Sequence, residues 1–101
     1  MPEVTVIIPT YNRPEAVKDT LDSLEEMETE VRYDVLVVDD SDDEKTRKTV
    51  QDHDLNPQYV RPEESKNLPH ARNVGIEKAE TDIVAFVDDD VRFYDRWLDA
   101  I

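Results

Sequence analysis

IVAFVDDDVRFYDRW, residues 83–97, runs from a short apolar segment straight into three consecutive aspartates, Asp88, Asp89 and Asp90. The apolar part is rich in β-branched and aromatic residues and predicts a strand, and FYDRWLDAI after it predicts the start of a helix. Adjacent carboxylates near a surface repel by about 1 kcal/mol per close pair unless water, a cation or hydrogen-bond donors screen them. The run is therefore either a solvated acidic turn or a place where something positive is held. The rest of the chain decides between these.

Upstream the same grammar recurs. VTVIIP (Val4 to Pro9) predicts a buried first strand, followed by a helix with Asn12 as its cap, Pro14 in the first turn and Val17, Leu21 and Leu24 on one face. YDVLVVDD (Tyr33 to Asp40) is a continuous apolar run of the kind found in parallel sheets covered on both faces. Residues 41–54 predict a short exposed helix anchored by Val50, and QYVRP a weak third strand. LPHARNVGIEKAE predicts a helix with Ala71, Val74 and Ala79 inward, where Gly75 allows close approach to the sheet. Strand and helix alternate throughout, which predicts a three-layer α/β sandwich on a mainly parallel sheet. In such sheets ligands bind beyond the carboxyl ends of the strands. Three polar clusters fall there: Thr10 to Arg13, Asp39 to Ser41, and Asp88 to Asp90.

Composition excludes several functions. With 101 residues the chain is one small domain or part of one. The absence of cysteine removes disulfides, thiolate zinc sites and cysteine nucleophiles. His53 and His70 are isolated and read as surface residues rather than metal ligands. The single glycine rules out a P-loop and a GxGxxG turn, both of which need several. A net charge of −14 argues against nucleic acid and anionic membranes as partners. Fifteen of the 26 acids are aspartate and lysine occurs five times, the balance of a surface kept hydrated in concentrated salt, which points to a halophilic source. No run reaches the roughly 18 apolar residues of a membrane span and no secretory signal opens the chain, so a cytoplasmic location, including the membrane's cytoplasmic face, is expected.

VTVIIPTYNR, VLVVDDS, NLPHARNVGI and DIVAFVDDDV, in this order and spacing, together resemble the nucleotide-binding half of family 2 glycosyltransferases with the GT-A fold. The resemblance covers nearly the whole chain. It implies transfer of a sugar, with inversion, from a nucleotide diphosphate donor to an acceptor that is a glycan, a lipid or a small molecule. It implies that Asp88 and Asp90, at the two outer positions of a DxD motif, hold Mg²⁺ or Mn²⁺ against the donor diphosphate, with Asp90 the more direct ligand and Asp89 toward the sugar or ribose. Hard carboxylate oxygens suit either ion. Tyr11 would stack near the base with Pro9 and Thr10 along its edge. Asp40 or Asp39 would accept from base or ribose, which favours a UDP-sugar without excluding dTDP or GDP. Arg72 would face the diphosphate as a two-pronged donor, and Arg13 is either a second such cation or a solvated loop residue.

The sequence departs from the family pattern in two places. Ser41, Asp42 and Glu44 follow the second strand where D-D-G-S-x-D is usual, and Asn67 replaces the glycine before LPHARN. The family's acceptor-binding half and catalytic base lie well past the metal motif. The base is therefore expected beyond Ile101, and residues 1–101 are expected to be the N-terminal nucleotide-binding portion. Two other readings stay open: a nucleotide-binding module without catalysis, and a receiver-like signalling domain, which VLVVDD alone would fit but which lacks its strand-end lysine.

Overall fold

The computed structural model of the protein describes residues 2–62, 68–93 and 95–100, with the side chains of residues 68–72 and 100 outside that description. The strands are β1 (Val4–Thr10), β2 (Tyr33–Asp39), β3 (Gln58–Val60) and β4 (Ile83–Phe86). The helices are α1 (Pro14–Glu26), α2 (Lys45–Gln51) and α3 (Leu68–Lys78), and a single 3₁₀ turn, Leu98–Ala100, follows β4. All three strand pairings are parallel and the sheet order is β3-β2-β1-β4.

Alternation along β1 sends Val4, Val6 and Ile8 to one face, where they pack with Val17, Leu21 and Leu24 of α1 and Val50 of α2. Ile7 points the other way, onto a smaller cluster with Leu36 and Val38 that Val74 and Ala79 cover. Two helices on one face and one on the other make the expected three-layer α/β sandwich. The chain steps outward from β1 through β2 to β3, then crosses back to place β4 on the far side of β1. The winding thus reverses between β1 and β4, and at such a reversal the loops diverge and leave a crevice.

Local details differ from the sequence reading where long-range contacts outweigh local preference. Asn12 does not cap α1. It takes a left-handed conformation at φ 53, Arg13 holds the cap position without a side-chain cap bond, and Pro14 begins the helix as expected. Among the described residues after Val91, the 3₁₀ turn Leu98–Ala100 stands where the sequence predicted a helix. This segment is pinned to α1 and the loop after it, through Phe93 N–H to Ser23 Oγ at 2.6 Å, Glu28 N–H to Asp95 Oδ1 at 2.9 Å and the Thr29–Asp99 hydrogen bond. His53 is half-buried rather than on the surface, with its side chain 7% exposed.

Gly75 lies against the sheet as its sequence context suggested. A Cβ built there would stand 2.7 Å from Ile7 Cγ2 and 3.3 Å from Ile7 Cδ1. Ile7 is fully buried and branched at Cβ, so it cannot swing aside. Gly75→Ala should therefore destabilise the fold by about 1–3 kcal/mol through overpacking, which outweighs a helix-propensity gain of about 1 kcal/mol. Urea denaturation measures this, and an unchanged or higher midpoint would show that the α3–sheet contact can relax.

Candidate functional site

The ends of β1 and β2 are flush, with Thr10 paired to Asp39, and Asp40 N–H donates to Thr10 O at 3.0 Å just beyond. On the other side Val87 N–H continues the ladder to Ile7 O at 3.0 Å before the chain turns through the three aspartates. All three clusters noted in the sequence therefore meet at one edge of the sheet, beside the reversal between β1 and β4.

The aspartates are not equivalent. Asp89 is buried, while Asp88 and Asp90 are exposed. Thr10 Oγ1 donates to Asp89 Oδ2 at 2.8 Å, and Arg13 Nη1 lies 3.0 Å from Asp89 Oδ1. The second arm of the same guanidinium, Nη2, reaches Asp90 Oδ2 at 3.1 Å. The hydrogen bond to Asp90, then the charge of Asp89, raise the pKa of Arg13. Beneath the turn, Thr20 Oγ1 donates to the carbonyl of Asp89 at 2.9 Å and accepts from Val91 N–H at 3.2 Å. The repulsion of the triple aspartate is thus met inside the protein by Arg13 and Thr10, while Thr20 holds the backbone of the turn. Asp88 makes no hydrogen bond with the described residues.

Asp39 sits at the end of β2 with no exposed surface. Its Oδ1 accepts from Ser41 N–H at 3.0 Å, and its Oδ2 accepts from the Tyr59 hydroxyl at 2.5 Å and from Arg61 Nη2 at 3.3 Å. Arg61 also donates to Glu44 Oε1 at 3.1 Å and to the carbonyl of Asp43 at 2.7 Å, which ties the 41–44 loop to β3. Its buried Nε has no partner among the described residues. Burial first, and the bond to Asp39 second, push the Tyr59 phenol well above the ordinary tyrosine range.

The loop after β1 is stitched to the loop after β2. Asn12 N–H donates to Ser41 Oγ at 2.7 Å, Asn12 Nδ2 donates to Asp42 Oδ2 at 2.9 Å, and Asp42 N–H returns to Asn12 Oδ1 at 2.9 Å. Tyr11 is 53% exposed and its hydroxyl donates to the same Asp42 oxygen at 3.2 Å, so its ring stands open at the mouth. An open cleft of about 490 Å³ adjoins, lined in part by Asn12, Arg13, Asp43 and Lys45.

Pro9, Thr10, Tyr11, Arg13, Asp39, Asp40 and Asp88 to Asp90 therefore all lie at this edge. The Arg72 side chain and Asn67 lie outside the described residues. So does Ile101, the residue beyond which the sequence placed the catalytic base. Sequence reasoning missed Thr20, Tyr59, Arg61 and Asp42. Thr20 carried a signal, because it falls on the same helical face as Val17, Leu21 and Leu24 and a hydroxyl there needs a partner. Tyr59 in β3 and Arg61 just past its end gave no sign of reaching across to β2.

The exposed carboxylates Asp88 and Asp90, hard oxygen donors on one short turn, fit a divalent cation such as Mg²⁺ or Mn²⁺. A second acidic group fits less well. Asp22, Glu25 and His53 place one ligand atom each within 4.8 Å of one another. His53 Nδ1, however, accepts from Leu55 N–H at 3.1 Å, so the ring proton sits on Nε2 and donates to Asp22 Oδ1 at 2.7 Å. A metal would need that nitrogen bare.

The family model described as Glycosyl transferase family 2 matches residues 5–101. Glycosyltransferase AglE of Haloferax volcanii is 31% identical over 103 residues, covering 98% of this chain and 34% of the relative. The mannosyltransferase PcManGT from Pyrobaculum calidifontis, solved in complex with GDP-Man and Mn²⁺, superposes with a TM-score of 0.75 at 30% identity, covering 91% of this chain and 28% of that one. S. aureus TarS 1-349, solved in complex with UDP-GlcNAc, superposes with a TM-score of 0.72 at 31% identity, covering 87% of this chain and 26% of that one. The chain spans about a third or less of the length of each of these proteins.

The Tyr59–Asp39 bond carries a pH signature. A tyrosine in the unfolded chain ionises above about pH 10, whereas Tyr59 in the fold keeps its proton beyond that point. The bond's stabilisation is complete below pH 10 and is lost as pH rises toward the folded value, because the unfolded state then binds fewer protons. Tyr59→Phe should cost about 1–3 kcal/mol at neutral pH by leaving Asp39 short of a donor. It should also flatten the alkaline fall in stability; urea titrations from pH 7 to 11 with parallel slopes for both proteins would contradict the assignment.

Proposed function

The chain belongs to glycosyl transferase family 2, and from that premise we propose that it forms the donor-binding part of an enzyme that moves a sugar from a nucleotide diphosphate to an acceptor hydroxyl. The observation that carries this reading is the placement of the acidic turn. Asp89, buried against Thr10 and Arg13, holds the turn at the reversal between β1 and β4 and leaves Asp88 and Asp90 facing outward. The complexes of PcManGT with GDP-Man and Mn²⁺ and of TarS with UDP-GlcNAc support a nucleotide-sugar donor and a divalent cation for this chain.

Each residue has a distinct task in this proposal. Tyr11 offers its exposed ring to the base, with Pro9 and the backbone of Thr10 along the edge. Asp40 is the better base or ribose acceptor, because Asp39 is fully buried and already accepts three hydrogen bonds. A carboxylate there accepts from the imide N–H of uracil, which favours UDP. Arg13 and Arg72 supply positive charge to the diphosphate in a protein of net charge −14. Asp88 and Asp90 hold Mg²⁺ or Mn²⁺, which when bound offsets the charge growing on the departing diphosphate.

Inversion needs a base that takes the acceptor's proton from the opposite face of the sugar, and this proposal assigns that role to a group beyond Ile101 rather than to any residue at this edge. The acceptor, whether glycan, lipid or small molecule, is proposed to be handled by a part of the fold beyond the nucleotide site. The aspartate-rich composition supports a salt-adapted source. Among the described residues no helix is long and apolar enough to cross a membrane.

Cation and nucleotide should bind cooperatively, since each neutralises charge the other meets as repulsion. Asp90→Asn should weaken Mn²⁺-supported UDP binding on the order of 10²-fold, or about 3 kcal/mol. Calorimetry with and without Mn²⁺ tests this. Equal UDP affinity in both conditions for the unsubstituted chain would contradict the cation's role.

A further inference from the structure

The geometry points to Arg13 as an internal counter-cation for Asp90: a divalent cation arriving at that carboxylate displaces one arm of the guanidinium, and the freed arm turns to the donor diphosphate. The inference rests on the cation-supported donor binding proposed above and says how cation and donor are coupled.

The two arms of the guanidinium are held unequally. Nη1 meets Asp89, whose side chain is 8% exposed, and Nη2 meets Asp90, whose side chain is 53% exposed. A carboxylate buried as deeply as Asp89 requires a lasting partner, so the first contact is structural. The second contact is a surface pair of small net value and is the one that can exchange.

The arginine is also free to make the exchange. Its own side chain is 51% exposed, and it stands at the cap position of α1 without a capping bond from its side chain. A planar fork anchored at one nitrogen can pivot about that anchor. The Arg13 side chain thus joins the structural carboxylate to an outer carboxylate expected to ligate the cation.

Guanidinium and divalent cation compete for Asp90 and repel each other at this range. Before a donor binds, Arg13 therefore weakens the cation's hold while keeping the exposed acids from destabilising the turn. Once the cation takes Asp90, Nη2 loses its acceptor but stays at the site through Nη1, and the nearest anion of matching geometry is the diphosphate. Arg13 is a positioning residue before binding and a donor contact after it.

A purely structural arginine and an exchanging one are told apart by the sign of two measurements on the same variant. Mn²⁺ alone is titrated against the chain by paramagnetic resonance, and UDP is titrated by calorimetry with Mn²⁺ saturating and with Mn²⁺ absent. Arg13→Gln should tighten Mn²⁺ alone by about fivefold, as the competing charge is gone. The same variant should weaken UDP at saturating Mn²⁺ by about tenfold.

Unchanged or weaker Mn²⁺ binding in Arg13→Gln, with UDP still cation-dependent, overturns the exchange and leaves the proposed function standing. No Mn²⁺ binding to either protein, with UDP affinity independent of the cation, overturns both. If Arg13→Gln fails to fold because Asp89 loses its partner, Arg13→Lys keeps a charge on Asp89 without the second arm. That variant frees Asp90 while its charge still repels the cation, so it should tighten Mn²⁺ by less than the change expected of Arg13→Gln, and Mn²⁺ binding no tighter than in the unsubstituted chain overturns the exchange.

Discussion

A carboxylate buried at the carboxyl end of a parallel sheet has to be neutralised where it stands, and in this protein that group is Asp89. The donors that reach it come from different elements. Thr10 ends β1, Arg13 precedes α1, and Thr20 within α1 holds the same residue's carbonyl. An acidic turn after β4 is thereby fastened to the first strand and helix, 69 to 79 residues earlier in the chain. Because the middle acid points in, the backbone of so short a turn leaves its two neighbours pointing out. The outward acids that the proposed function needs follow from the one inward acid that the fold needs.

The second strand end is organised in the same way. Asp39 is the buried member of its pair, satisfied by Ser41, Tyr59 and Arg61, and Asp40 is the member nearer solvent. In both clusters one acid is buried and fastens loops, and an adjacent one lies nearer solvent. The pattern gives a physical reason for consecutive aspartates in a chain that already carries 26 acids: single acids could not serve both ends. It also explains why the net charge of −14 does not disperse the site, since the nearest acids are held by short-range donors that salt screens little.

Much of this was legible in the sequence, for reasons that differ by element. The apolar runs of β1 and β2 and the Val17–Leu21–Leu24 stripe are local patterns with a single period, and they fixed the layers and the parallel sheet. Gly75 was legible because only close approach explains a lone glycine inside a helix. What the sequence hid depends on contacts across the sheet. Nothing near Tyr59 or Arg61 says that they reach Asp39, and nothing near Asn12 says that its amide is taken by Asp42 rather than by a helix cap. The three aspartates were visible as a site, yet the inward role of Asp89 depends on Thr10 and Arg13 meeting it in space.

Asp89 fastens the turn, and Asp88 and Asp90 are proposed to serve the crevice. Urea denaturation of Asp88→Asn and Asp89→Asn side by side tests this division most directly. Asp89→Asn should lose about 2 kcal/mol, because the buried carboxylate's charge-assisted bonds to Thr10 and Arg13 are replaced by weaker ones to a neutral amide. Asp88→Asn should be neutral or slightly stabilising, since it removes one repelling charge from an exposed position. Equal losses for the two variants, or a larger loss for Asp88→Asn, would contradict the account.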